Sequence, residues 1–199
     1  MNTKLFTFLL TACASSAPVL LPAAVVLQVD VSNPAAVVIT ATSANSQNEF
    51  LPPDGGTINT GVTMIELFSG NNVGAGSAGV TSGSLNALEG LSGTDREVLD
   101  LFWNDSFTGG FTPEDLSIFQ PGAFELRFET DEQALTGSIV VDLSSISSSF
   151  FPTIGTTGNI VANSPDLNNV IGQWQVIPEA STGLLGLMAG LMLLQRRRT

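Results

Sequence analysis

Carboxylates are the main side chains of this sequence that could carry out chemistry. The 199 residues contain 18 Asp and Glu, one cysteine, and no histidine or tyrosine. The absence of histidine excludes a Ser-His-Asp triad, Cys-His catalysis and His-ligated zinc or iron. A carboxylate pair could still serve a glycoside hydrolase as acid and nucleophile, but nothing in the sequence selects one pair. We therefore predict that the protein is not an enzyme.

Two acidic clusters are candidates for a cation site. The first contains Asp95, Glu97, Asp100 and Asp105, and the second contains Glu129, Asp131 and Glu132. Calcium takes six to eight oxygen ligands, often from a tight D-x-D-x-D-G loop, and neither cluster has that spacing. The second cluster is the better candidate for a structural calcium ion. Charge at turns and on the surface explains both clusters more simply, and we predict no other cofactor.

Two tryptophans could stack on sugar rings, as aromatic side chains do in carbohydrate-binding modules. Trp103 and Trp174 stand among other apolar residues, and this pattern is more typical of a core than of a binding face. Exposure of either ring beside a groove would support sugar binding, and burial of both would count against it.

The charge balance restricts the partners of this chain. The formal net charge is -12, and only Arg96 and Arg127 supply fixed cations between the two terminal segments. Nucleic acid binding depends on Lys and Arg contacts to phosphates, so we predict no nucleic acid partner. An acidic surface favours solubility and also repels anionic lipid headgroups.

The first 24 residues are predicted to be a secretory signal peptide. A basic start at Met1–Lys4 is followed by an apolar run, Leu5–Leu10, and then by small residues. Cleavage after Ala12-Cys13-Ala14 fits the A-x-A pattern, and a later cut near Ala23 or Ala24 remains open. Cys13 also stands where a lipoprotein would carry its lipidated cysteine, although an incidental small residue is the favoured interpretation.

The last 22 residues have three parts in a fixed order. A short polar motif comes first, an apolar run follows, and a basic stop ends the chain. The motif consists of Pro178, Glu179, Ala180, Ser181 and Thr182. The apolar run from Gly183 to Leu194 includes Leu184, Leu185, Leu187, Leu191 and Leu193, and the stop consists of Arg196, Arg197 and Arg198. We predict a membrane helix over 183–194, with the arginines in the cytoplasm and the preceding chain outside.

This order resembles the PEP-CTERM sorting signal of bacteria, with Ala180 at the position where the family motif has its second proline. The resemblance covers about a tenth of the chain. It implies recognition by an exosortase, a membrane protease that cuts near the motif and sends the protein to the cell surface or the extracellular matrix. It also implies association with exopolysaccharide. Because this family shares only its signal, the resemblance implies no activity for residues 25–177, and a permanent tail anchor is the alternative.

Residues 25–177 are predicted to form one mainly β domain, a single antiparallel, jelly-roll-like sandwich. Short runs of Val, Ile and Phe are separated by Gly, Ser, Thr and Asn, which is typical of strands joined by turns. We predict strands near Leu27–Val31, Val37–Thr42, Val62–Phe68, Val98–Trp103 and Gly172–Ile177. Apolar and polar residues alternate in 124–128 and 137–143, which predicts a β-hairpin with a long loop. Residues 70–91 are predicted to be mostly loop, and a helix over 95–103 is the alternative to a strand there.

Overall fold

Eleven β-strands in one hydrogen-bonded sheet make up this fold. The computed structural model describes residues 23–50, 61–70, 73–89, 95–98, 100–103, 114–119, 126–162 and 169–178. The strands are β1 (Val25–Asp30), β2 (Val37–Ala41), β3 (Gly61–Met64), β4 (Gly76–Glu89), β5 (Asp95–Val98), β6 (Asp100–Trp103), β7 (Leu116–Phe119), β8 (Leu126–Arg127), β9 (Thr136–Val141), β10 (Thr157–Ala162) and β11 (Val170–Val176). None of the helical turns in these ranges is long and apolar enough to cross a bilayer. Of the predicted signal peptide only Ala23 and Ala24 are described, and the predicted helix over 183–194 lies outside the described residues.

The sheet curls back on itself because β4, which lies near one end of the strand order, also pairs with β9 at the other end. Neighbouring strands follow the order β5-β4-β6-β7-β3-β10-β11-β1-β2-β9, and β8 pairs with β4. The first residues of β4, from Gly76, pair with β6, and its residues from Val80 onward pair with β9. The apolar faces of the strands therefore meet in one core, whose residues are contributed by almost every strand.

The predicted mainly β class is confirmed, but the arrangement differs from an antiparallel sandwich of two sheets. All the described strands belong to a single sheet, and it is mixed because β1 and β11 run parallel. These are the first and last of the described strands, so no tight turn joins them and forces them to run in opposite directions. The signals in the sequence come from local alternation, which contains no information about pairing between the two ends.

The individual strand predictions had mixed outcomes. Strands form near all five of the named positions and also in both arms of the predicted hairpin, and residues 95–98 and 100–103 form strands β5 and β6 rather than a helix. The prediction of a loop over 70–91 is wrong, since β4 extends for 14 residues within it. Its Gly and Ser residues have weak β propensity, but β5, β6 and β9 all supply backbone partners. The predicted hairpin is also wrong, because β8 pairs with β4, whereas β9 pairs with β2 and β4.

Each tryptophan packs on a glycine of the neighbouring strand. Trp174 pairs with Gly158 across β11 and β10, and Trp103 pairs with Gly76 across β6 and β4. A Cβ atom added to either glycine would come within 2.5 Å of the indole ring. A glycine is therefore needed at each position to make room for a large ring inside the curled sheet.

Candidate functional site

The candidate site is the place where the chain leaves the sheet and enters the predicted sorting motif. The Val176 N–H donates to the Thr156 carbonyl, and the Gly155 N–H donates to the Val176 carbonyl, both at 2.9 Å. The Ile177 N–H then donates to the Val29 carbonyl at 3.0 Å. Pro178 follows and is exposed. Ile177 therefore makes the last backbone hydrogen bond after β11 that the structure describes, and we call this end of the sheet the exit end.

Strand β11 is the last of the described strands in sequence but lies in the interior of the sheet. It pairs with β10 on one side and with β1 on the other. Trp174, at the middle of β11, is fully buried, and its indole N–H donates to the Ile65 carbonyl at 3.0 Å. Removal of β11 would thus leave β1 and β10 without a backbone partner on one side, and it would open a large cavity in the core where Trp174 packs. The sequence correctly placed a strand before the motif, but it contained no signal for the central position of that strand.

The chain enters and leaves at opposite ends of the β1–β11 pair. The Ala24 carbonyl accepts a hydrogen bond from the Gln173 N–H at 2.9 Å, at the start of the parallel register. Ile177 makes its bond to Val29 at the other end of the same two strands. The Ala24 carbonyl thus takes part in the described pairing of the sheet, although Ala24 is the last residue assigned to the signal peptide by the sequence prediction.

A loop over residues 142–156 covers part of the exit end. Ile146 is buried, and Phe151 makes an edge-to-face contact with Phe68, with ring centroids 5.7 Å apart. The Phe150 carbonyl accepts from the Ser69 N–H at 2.8 Å. These contacts anchor the loop on the core. Ile154, in contrast, is 67% exposed, and it precedes the glycine that bonds to Val176.

A groove of about 710 Å³ opens beside this loop. The residues that line it include Glu66, Glu114, Phe151 and Thr156. Because the chain has no histidine, a hydroxyl here has no imidazole base to activate it. The groove can accept hydrogen bonds and attract cations, but its lining does not form a nucleophile–base pair of the histidine type.

A buried carboxylate supports an unusual backbone conformation at the rim of this groove. Glu66 has φ of 54°, the left-handed region that non-glycine residues seldom adopt. Its N–H donates to Oδ1 of Asp115 at 2.7 Å, and Asp115 is 4% exposed. Sequence analysis missed this pair, because residues 49 positions apart carry no local pattern that links them.

The second acidic cluster surrounds an arginine. Arg127 Nε lies 3.3 Å from Glu129 Oε1, and Arg127 Nη2 lies 3.8 Å from Glu132 Oε2. A guanidinium therefore occupies the position where the sequence suggested a calcium ion. In the described ranges, Asp, Glu, His and Cys form no group of three or more that could hold a metal ion. The side chains of Asp95, Glu97 and Asp100, and all of Asp105, lie outside the described part.

Both tryptophans belong to the core. Trp103 is 4% exposed and Trp174 is fully buried, so neither ring presents a face to solvent. This burial removes the stacking surface on which the carbohydrate-binding hypothesis depended. Trp103 does line a second groove of about 530 Å³, but with only 4% of its surface exposed it offers no open ring face there.

The other predicted site residues fall outside the described part of the chain. Of the sorting motif, only Pro178 is described, and Glu179 to Thr182 are not. The predicted membrane segment from Gly183 to Leu194 and the arginines Arg196 to Arg198 are likewise outside it. No protein-family model, curated protein or solved structure matches this chain.

Proposed function

We propose that this chain is an exported, non-enzymatic protein of the cell surface or extracellular matrix, sorted through its C-terminal tail. An N-terminal signal takes it across the inner membrane, and the helix over 183–194 holds it there for a time. An exosortase-like protease then cuts near Pro178-Glu179-Ala180. The observation that carries this proposal is the order of motif, apolar run and basic stop at the end of the sequence.

The end of β11 supports the proposal. The last hydrogen bond of the described sheet is made by Ile177, and Pro178 is exposed. A cut after Pro178 would therefore leave every described pairing of the sheet intact. The released domain would keep its core, and the acidic character of the chain would keep it soluble.

The test is the intact mass of the mature protein. The full chain would be expressed in its native host, and the cells would be fractionated into inner membrane, surface and medium. We expect a surface or secreted form that lacks the residues after about Ala180. Retention of Arg196 to Arg198 by the whole population in the inner membrane would refute processing and indicate a permanent tail anchor.

A matched pair of variants makes this test specific. Glu179→Ala changes the predicted motif, whereas Glu49→Ala removes an exposed carboxylate far from it in the sequence. We expect the unprocessed form to accumulate with Glu179→Ala and not with Glu49→Ala. Equal accumulation with both variants would mean that the motif is not what the protease recognises.

A further inference from the structure

The folded domain restricts where a protease could cut. Strand β11 is paired with β10 from Val170 to Gln175 and with β1 from Gln173 to Val176, and Ile177 is bonded to Val29. Proteases cut exposed chain outside regular structure far more readily than paired strands. Cleavage at or before Ile177 would require β11 to leave the centre of the sheet, which amounts to unfolding the domain. The upstream limit of processing is therefore set by the fold.

The predicted membrane segment sets the downstream limit, and the distance between the two limits is short. Only residues 178–182 separate Ile177 from Gly183. Whatever their conformation, five residues reach at most about 18 Å. A domain of about 150 residues has a radius of gyration of roughly 15 Å, so its exit end is held within about one domain radius of the bilayer.

From this geometry we infer that the folded domain regulates its own processing through the length of this five-residue tether, a step that rests on the sorting function proposed above. The protease must reach the motif between the domain and the bilayer. The upstream limit can move only if the domain unfolds, and the downstream limit can move only if the anchor is pulled out of the membrane. Tether length, in addition to the motif itself, then determines the processing rate. A bulky folded domain on a short tether is processed slowly, and a longer tether relieves the crowding.

The test is a series of tether lengths in the full chain in its native host. Insertions of four and eight Gly-Ser residues between Ile177 and Pro178 lengthen the tether and leave the motif unchanged. The matched control is the same eight residues appended after Thr199, which lengthens the chain without moving the motif away from the domain.

The rate would be measured by pulse-chase labelling, with the new C-terminus located by mass. Access to a tethered site falls toward zero when the linker cannot span the required distance, so we expect at least about threefold faster processing of the lengthened chains. The control should match the wild type. The wild-type product should end at or after Pro178.

The outcomes separate this inference from the function on which it rests. If the wild type is processed and all tether lengths are processed at the same rate, the tether inference is wrong and the sorting function stands. A wild-type product that ends upstream of Ile177 would also overturn the inference. If no chain in the series is processed, the sorting function itself is refuted, and the inference falls with it.

Discussion

The contact between Trp174 and Gly158 allows a sharp test of the core described above. In Gly158→Ala, the new Cβ would lie 2.5 Å from Cζ2 and 2.6 Å from Nε1 of the indole ring. Carbon atoms at rest approach to about 3.5 Å, so the ring or strand β10 must move. Because the same ring donates its N–H to the Ile65 carbonyl, a shift would also weaken a buried hydrogen bond.

The expected cost of this substitution follows from two effects. Overpacking a tight core typically costs 1–3 kcal/mol, and leaving a buried polar group without its partner costs a similar amount. Since a shift would only partly break the indole hydrogen bond, we expect the free energy of unfolding to fall by about 2–4 kcal/mol. For a domain of about 150 residues this corresponds to a melting temperature lower by on the order of 10 °C.

The matched control for this substitution is Gly79→Ala. Gly79 lies in β4, and a Cβ added there would meet no atom within 4 Å. We expect its free energy of unfolding to stay within about 0.5 kcal/mol of the wild type. Thermal unfolding of the full chain in a mild detergent would be followed by far-UV circular dichroism. If Gly158→Ala melted together with Gly79→Ala and the wild type, the assigned packing of Trp174 would be wrong.

Three further predictions concern other parts of the molecule. Asp115→Ala should lower the free energy of unfolding, measured by urea titration, by about 1–3 kcal/mol, because the Glu66 N–H loses its buried acceptor. The control Asp131→Ala removes an exposed carboxylate and should change the free energy of unfolding little. Hydrogen bonds from Ser144 lower the pKa of Asp142. This carboxyl therefore contributes stability at pH values above its unfolded pKa, and that stability is lost as the pH falls through its folded pKa. In Ser144→Ala, NMR titration should show the pKa of Asp142 rising toward its usual value. The mature N-terminus found by mass should lie at or before Ala24, and a start at Val25 would contradict the role of the Ala24 carbonyl.

The strands with strong local patterns were predictable from the sequence. Residues near β1, β2 and β11 alternate between apolar and polar side chains or carry β-branched runs, and strands formed at all three places. The candidate site was predictable to the same extent, since the strand before Pro178 has such a pattern. The interior position of β11 in the sheet was not predictable, because β1 and β10 determine it by pairing with β11, and no pattern within β11 indicates those partners.

The length of β4 shows why local signals can fail. Gly and Ser have low intrinsic β propensity, and this property led to the prediction of a loop over 70–91. In the sheet, each part of β4 has a neighbour that satisfies its backbone N–H and C=O groups. Backbone pairing of this kind does not depend on side-chain type, so no pattern within the segment could indicate it.

By itself, the amino-acid sequence determined the mainly β class, the acidic character, the absence of histidine chemistry and the three-part tail. These properties depend on composition or on neighbouring residues, so they can be read without a fold. Only the tertiary structure decided that β11 is central, that Trp103 and Trp174 are buried, and that Arg127 lies between Glu129 and Glu132. Each of these facts depends on contacts that form when distant segments pack together, because register and burial are properties of the assembled sheet.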